Sequence, residues 1–324
     1  MPKEQTDFYH EFKERLKNRS EMPFDEFVEL ALYHPYLGYY SKSKARVGKR
    51  NGTDFYTSSS TGSLWGKLVV DACSKILKLT NLNQYTFVEI AAEPDCSILN
   101  EIQHPFNSSL IFRLGDNIKI PDKAIVFSNE WLDAQPFKRF RFNGVTNEWH
   151  EIGVSLNKNQ IVESDLLAKS DINFPKNSFP RYTIDWPTGS FKAIEQVLTQ
   201  SWSGLFLTFD YGLPREILFN ERPNGTARGY YRHQLESELL KRPGEQDLTC
   251  HLCWDELIER LKRNRFNEPE LQSQESFFMH HAQKEIQTLL NQTKEGINSE
   301  IQTLKELIHP QNFGNKFQAL WAVR

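Results

Sequence analysis

The run Gly204–Asp210, GLFLTFD, limits the possible folds more than any other stretch of the chain. It is apolar on both faces, and a strand that is apolar on both faces belongs inside a sheet covered by helices on each side. KAIVFS (Lys123–Ser128) and TFVEIA (Thr86–Ala91) repeat the pattern, and Leu110–Arg113 is a shorter run of the same kind. Between them the apolar period changes. Leu64, Trp65, Leu68, Val69, Ala72, Cys73, Ile76 and Leu77 fall on one helical face. Further helices are expected over Ser190–Gln200, Asp255–Arg263 and Glu300–Leu307, and a last strand over Lys316–Val323. Strands alternating with helices predict an α/β, doubly wound sheet. Phe137–Phe142 and Val145–Val154, flanking Asn143-Gly144, read as an added antiparallel hairpin.

The N-terminal part is different. Phe8, Phe12 and Leu16 recur every four residues, and a second helix is expected from Met22-Pro23 to Tyr33, before His34-Pro35. The stretch GYYSKSKARVGKRNGTDFYTSSSTG is too polar for a core and too long for a simple connection, which predicts a lid. The expected organisation is therefore N-terminal helices and a lid loop over residues 1–80, then a sheet domain over 81–324.

Charge and composition exclude some functions. The 324 residues carry a net charge of −3 with scattered basic residues, so nucleic acid is not an expected partner. No apolar run is long enough to cross a bilayer. The N-terminus lacks the apolar stretch of a secretory signal, and a cytoplasmic location without membrane contact is expected. Cys250 and Cys253 have the spacing of a metal knuckle, but no second pair completes four ligands, so no metal is expected.

Chemistry concentrates where strands end. In VFSNEWLDAQPF, Asn129, Glu130 and Asp133 follow one strand; in LFLTFDYG, Asp210 and Tyr211 follow another. Residues at carboxyl ends of such strands line the crevice of an open α/β sheet. A carboxylate there can grip a guanidinium through charge-assisted hydrogen bonds or act as a general base. It can equally cap a helix or fix a turn. His233, in GTARGYYRHQ with Arg228 and Tyr231, could serve as a base near neutral pH or lie on the surface. The turn after the first strand is where a nucleotide-like ligand would sit, yet Glu89-Ile90-Ala91-Ala92-Glu93-Pro94-Asp95-Cys96 contains no glycine.

In order, the blocks ALYHPYLGYY, GTDFYTSSSTGSLWG, VEI, NEWLDAQP, FDYG, GTARGYYRHQ…RPGEQDLTCHLCW and NFGNKFQALW span nearly the whole chain. Their succession resembles the MidA-like methyltransferases, relatives of the mitochondrial complex I assembly arginine methyltransferase. The resemblance implies a Rossmann-like class I sheet with its last strand antiparallel, and S-adenosylmethionine as cofactor. It implies that Glu130 binds a guanidinium, with Asn129 and Asp133 shaping the pocket; His233 stands beside them as a secondary catalytic candidate on its own chemistry. The stretch from Gly38 to Gly66 would be a lid, with Gly52, Asp54 and Thr57 of its glycine-Asp-Phe-x-Thr motif at the cofactor. Glu89, Ala91 and Ala92 would form the cofactor turn, and Asp116 is the one acid near the ribose position.

Three departures from that family pattern accompany it. The turn glycines are replaced, which alanine can follow if φ stays negative. Glu93 and Asp95 add charge where the cofactor's methionine carboxylate would lie, and Ser60 stands where the family has glutamate. The interval from Leu99 to Ser128 is short, and LIFRLGDN resembles the piece just before the next strand. Two functions follow as expectations: methyl transfer to a protein nitrogen such as arginine, or an inactive pseudo-methyltransferase holding a partner protein as an assembly factor. For the second, the paired tyrosines Tyr39-Tyr40 and Tyr230-Tyr231 would provide contacts, unless they pack the lid. The oligomeric state is left open.

Overall fold

The computed structural model describes residues 3–41, 62–78, 81–92, 97–100, 102–158, 160–166, 172–176, 178–232, 234–292 and 299–324. The chain divides into two compact units, one of residues 1–55, 132–193 and 212–256, the other of 56–131, 194–211 and 257–324.

The second unit is built on a six-stranded mixed sheet. Its strands, numbered along this unit, are β1 (Thr86–Ile90), β2 (Ser108–Phe112), β3 (Lys123–Asn129), β4 (Ser203–Asp210), β5 (Asn267–Ser273) and β6 (Gln318–Val323). Their spatial order is β5-β6-β4-β3-β1-β2. The four strands β1 to β4 run parallel, while β6 is antiparallel to both β4 and β5. The antiparallel final strand is the one the resemblance implied. Helices of this unit include α1 (Ser63–Leu77), α2 (Gln274–His281), α3 (Gln283–Gln292) and α4 (Ser299–Ile308). Trp65, Leu68, Val69 and Ala72 of α1 join Phe87, Phe127, Leu207, Phe209 and Phe277 in one buried apolar cluster. The helical spacing read from Leu64 to Leu77 is therefore the face that covers the sheet.

The short strand read at Leu110–Arg113 is present with shifted bounds. Ser108–Phe112 is a full parallel strand, paired with β1 residue for residue over its five residues. Its exposed serines hide where it starts, because an edge strand does not need the continuous apolar run of a central one.

The first unit is built around an antiparallel sheet. Glu148–Asn157 pairs with Glu21–Pro23, Lys138–Asn143 and Gln160–Leu166, and Lys138–Asn143 also pairs with Thr183–Trp186. The expected hairpin is present, but its turn is longer than Asn143-Gly144. The Asn143 side-chain oxygen accepts the amides of Val145 and Thr146, and Asn147 takes the left-handed φ of 56°. Asparagine supports both roles, one by side-chain capping and one by tolerating positive φ. Phe8, Phe12 and Leu16 pack with Phe24, Phe27, Phe137, Ile152 and Val154 in this unit's core, on the helices Lys3–Leu16 and Phe24–Tyr33.

Buried ions organise the rest of the unit. Asp185 is 1% exposed and accepts the Arg139 Nε–H at 2.7 Å. Its other oxygen accepts the amides of Thr226 and Ala227, each at 2.6 Å. Gly225 precedes them with φ +74°, and a Cβ there would lie 2.2 Å from that carboxylate. The GTARG block is thus a backbone cradle for a buried aspartate, and a carboxylate can be held in such a place only with its oxygens satisfied. Arg139 also pairs with Glu163 and stands over the Phe24 ring.

Candidate functional site

Parallel pairing of β1 to β4 brings the carboxyl ends of β1, β2, β3 and β4 to one edge of the six-stranded sheet. Glu89, Ala91, Ala92, Asp116, Asn129, Glu130 and Asp210 lie at or just beyond these ends. This edge is the candidate site, because a crevice beyond carboxyl ends is where open α/β sheets bind ligands.

Two non-glycine residues leave their strands with left-handed backbones: Ala91 after β1, with φ 62°, and Glu130 after β3, with φ 50°. The condition under which alanine replaces a turn glycine without strain, a negative φ, is therefore not met at Ala91. The Ala91 amide donates to the Phe112 carbonyl at 2.8 Å, and the Glu130 amide to the Phe209 carbonyl at 2.9 Å. Those bonds hold each residue in a region that a Cβ disfavours by about 1–2 kcal/mol. Strain of this kind persists only where surrounding contacts over-determine the backbone, and it clusters at functional sites.

Asn129 and Glu130 form a pair. Asn129 Nδ2 donates to Glu130 Oε1 at 2.9 Å, and because a carboxylate only accepts, that bond settles the orientation of the amide. Asn129 Oδ1 is then left buried with no hydrogen-bond partner. One strand further, the Ser128 hydroxyl donates to Thr208 Oγ1 at 2.8 Å across β3 and β4, with both residues buried. Asp210 is buried and accepts the Tyr211 amide at 2.8 Å, the turn role that was one of its expected readings.

Glu89 faces inward rather than toward the edge. It is 5% exposed and accepts the Ser97 hydroxyl at 2.6 Å and the Ile98 amide at 3.2 Å. Burial raises its carboxyl above the usual range, against the opposing pull of those two bonds. It braces the chain just past the turn. Asp116 lies beyond β2, and its Oδ2 accepts the Arg113 amide at 2.7 Å, closing a turn. On the same side of the unit, α1 comes so close to the braced segment that a Cβ on Gly66 would stand 1.9 Å from the Ile98 carbonyl oxygen. Only glycine permits that approach.

The other proposed residues fall elsewhere. Asp133 belongs to the first unit, where it is buried and its carbonyl accepts the Cys250 amide. There Tyr40 donates to Asp247 at 2.8 Å and stacks on Tyr33; burial first, then Asp247 and Asp133, drive both phenol pKa values up. Tyr39 is buried and Tyr40 half-buried, so the two are not an exposed pair. Tyr231 lies under the Arg242 and Arg232 guanidinium groups. Gly52, Asp54, Thr57 and His233 lie outside the described residues.

Sequence reasoning missed Ser128, Thr208 and Trp65, each counted only as part of an element's apolar pattern. Trp65 is 0% exposed, and its indole nitrogen has no hydrogen-bond partner. Among the described residues no helix is long and apolar enough to cross a membrane.

Comparison with known proteins agrees with this architecture. A family model described as "putative S-adenosyl-L-methionine-dependent methyltransferase" matches residues 65–270. Two crystal structures of COG1565 superfamily proteins from Burkholderia thailandensis superpose over 99% of this chain and 92% of theirs. One, bound to S-adenosyl-homocysteine, is 19% identical with a TM-score of 0.84; the other, a native structure, is 18% identical with a TM-score of 0.80. No curated protein matches the sequence. The chain belongs to this S-adenosyl-L-methionine-dependent methyltransferase family, whose cofactor is the one the sequence blocks implied.

Proposed function

With that membership as the premise, we propose that the protein is MidA-like, with a Rossmann-like, doubly wound sheet, and transfers a methyl group from S-adenosylmethionine to a protein nitrogen, an arginine guanidinium. The observation that carries the acceptor is the Asn129–Glu130 pair. A carboxylate and a buried orphan carbonyl oxygen sit side by side at one strand end. Both only accept, and a guanidinium only donates. An apolar or anionic acceptor would leave Asn129 Oδ1 unsatisfied.

The start of the turn after β1 supports the cofactor reading. Ala91 takes the left-handed φ that glycine adopts most readily, the conformation a tight ligand-binding turn calls for. Ala91 and Ala92 would flank the bound molecule, with Glu89 holding the following segment in place. When bound, S-adenosylmethionine supplies an electrophilic methyl on a sulfonium, a good leaving group. The protein's work is positioning, which can supply most of such a rate. Glu130 accepts guanidinium N–H bonds and turns a nitrogen lone pair toward the methyl. Asn129 holds the Glu130 carboxylate by its Nδ2–H and takes a second guanidinium N–H on Oδ1. As the new N–C bond forms, Glu130 takes the proton lost from that nitrogen.

Calorimetric titration of S-adenosyl-homocysteine, followed by a methylation assay on arginine peptides, tests this reading. Micromolar binding with transfer to arginine supports it. Binding without transfer to any protein nitrogen would favour the assembly-factor alternative, and no heat at millimolar ligand would defeat the cofactor reading.

A further inference from the structure

Among the described residues at the candidate edge, Trp65 is wholly buried and its polar atom goes unused. Its indole nitrogen is shielded from solvent and has no hydrogen-bond partner among the described residues. A buried donor left in that state is costly, and such groups in native folds call for a partner. Its location narrows the choice. The ring lies 4.9 Å from that of Phe209, the penultimate residue of β4, and Phe209 sits opposite Asn129 in the parallel ladder. Paired residues of a parallel ladder share a face. Trp65 therefore packs on the sheet face from which the Asn129 side chain issues, at the carboxyl edge.

Two features of α1 set the sign of the missing partner. Trp65 is in the first turn of this 15-residue helix, and Gly62 at its N-cap supplies no capping side chain. The first turn of a helix carries unsatisfied amides and partial positive charge, which suits an anion. No acid stands in that turn. An orphan N–H donor and an uncapped helix start together ask for a negatively charged acceptor. Gly66 brings the same turn against Ile98, next to the segment braced by Glu89 beyond the cofactor turn.

We propose that Trp65 is a cofactor-binding residue, its indole N–H donating to the carboxylate at the amino-acid end of the S-adenosyl ligand. This rests on the cofactor reading above. It moves the carboxylate contact onto α1, away from the glycine-free turn with its acidic residues Glu93 and Asp95.

Trp65→Phe keeps an aromatic ring and removes only the donor. Titrations would use S-adenosyl-homocysteine and 5′-methylthioadenosine, which lacks the amino-acid end. The expected result is a loss of about tenfold or more in S-adenosyl-homocysteine affinity, the scale of a charge-assisted hydrogen bond, with methylthioadenosine affinity unchanged. Equal S-adenosyl-homocysteine affinity in the two proteins overturns the assignment, and so does an equal loss for both ligands. If the wild type binds neither ligand, the cofactor reading fails and this assignment with it. The wild-type protein gives a second readout should the variant not fold. One indole N–H resonance should move downfield with S-adenosyl-homocysteine and stay in place with methylthioadenosine; no such movement also overturns the assignment.

Discussion

Replacing Ala91 by glycine should stabilise the protein, although glycine usually does the opposite. Ala91 has φ 62°, where a Cβ costs about 1–2 kcal/mol, while glycine enters that region freely. Against this gain stands the greater freedom glycine gives the unfolded chain, about 0.5–1 kcal/mol. The net expectation for Ala91→Gly is a gain of about 0.5–1 kcal/mol. Ala92 is the internal control, since it is not among the residues with positive φ. Ala92→Gly has only the entropic cost and should lose about 0.5–1 kcal/mol. The two variants differ in composition by nothing, so the separation between them, about 1–2 kcal/mol, reports backbone conformation alone. Urea unfolding followed by circular dichroism resolves it as a displacement of midpoints in opposite directions at constant slope. Midpoints that move the same way, or Ala91→Gly as the weaker protein, would refute the left-handed assignment and the argument that the turn starts in a conformation glycine adopts most readily.

Other outcomes follow from the same structure. Glu130→Gln keeps the shape and removes the charge, so acceptor affinity should fall about tenfold to a hundredfold while the melting temperature holds, read by titration with an arginine peptide and by calorimetry. Unchanged affinity would remove Glu130 from the site. Burial raises the Glu89 carboxyl, so its contribution to stability is present below its unfolded pKa and is lost as pH rises through the folded one. Glu89→Gln should then gain in melting temperature relative to wild type as pH increases, and a gap that narrows with pH would show the sign is wrong. His251 is held down to about 4, first by burial and then by Arg228 and Arg222. The folded chain binds this proton less readily than the unfolded one, so stability should fall by about 3 kcal/mol as pH drops from 6.5 to 4. A His251→Gln variant should lack that part of the acid sensitivity, and identical pH profiles would count against it.

The sequence by itself determined the central strands of the sheet and the covering face of α1. Lys123–Asn129 and Ser203–Asp210 are legible because a strand buried on both sides needs an unbroken apolar run, and that need is written in residue types. It also placed Asn129, Glu130 and Asp210 at strand ends, since a polar break after such a run marks where the strand leaves the core. Only the tertiary structure decided which of those residues share an edge. Asp133 stands three residues after Glu130 yet belongs to the other unit, because the chain passes between units after Trp131, and no local pattern records that. The other edge strand, Asn267–Ser273, was illegible for the same physical reason in reverse: its residues are exposed or half-buried, so no apolar run marks it. The left-handed turn at Ala91 and the orphan nitrogen of Trp65 lie furthest from the sequence. An alanine carries no preference for positive φ, and an indole on a helical face looks apolar. The backbone bond from Ala91 to Phe112 and the packing of Trp65 on Phe209 come from chain segments distant in sequence, so the constraint that gives each residue its meaning exists only in the folded chain.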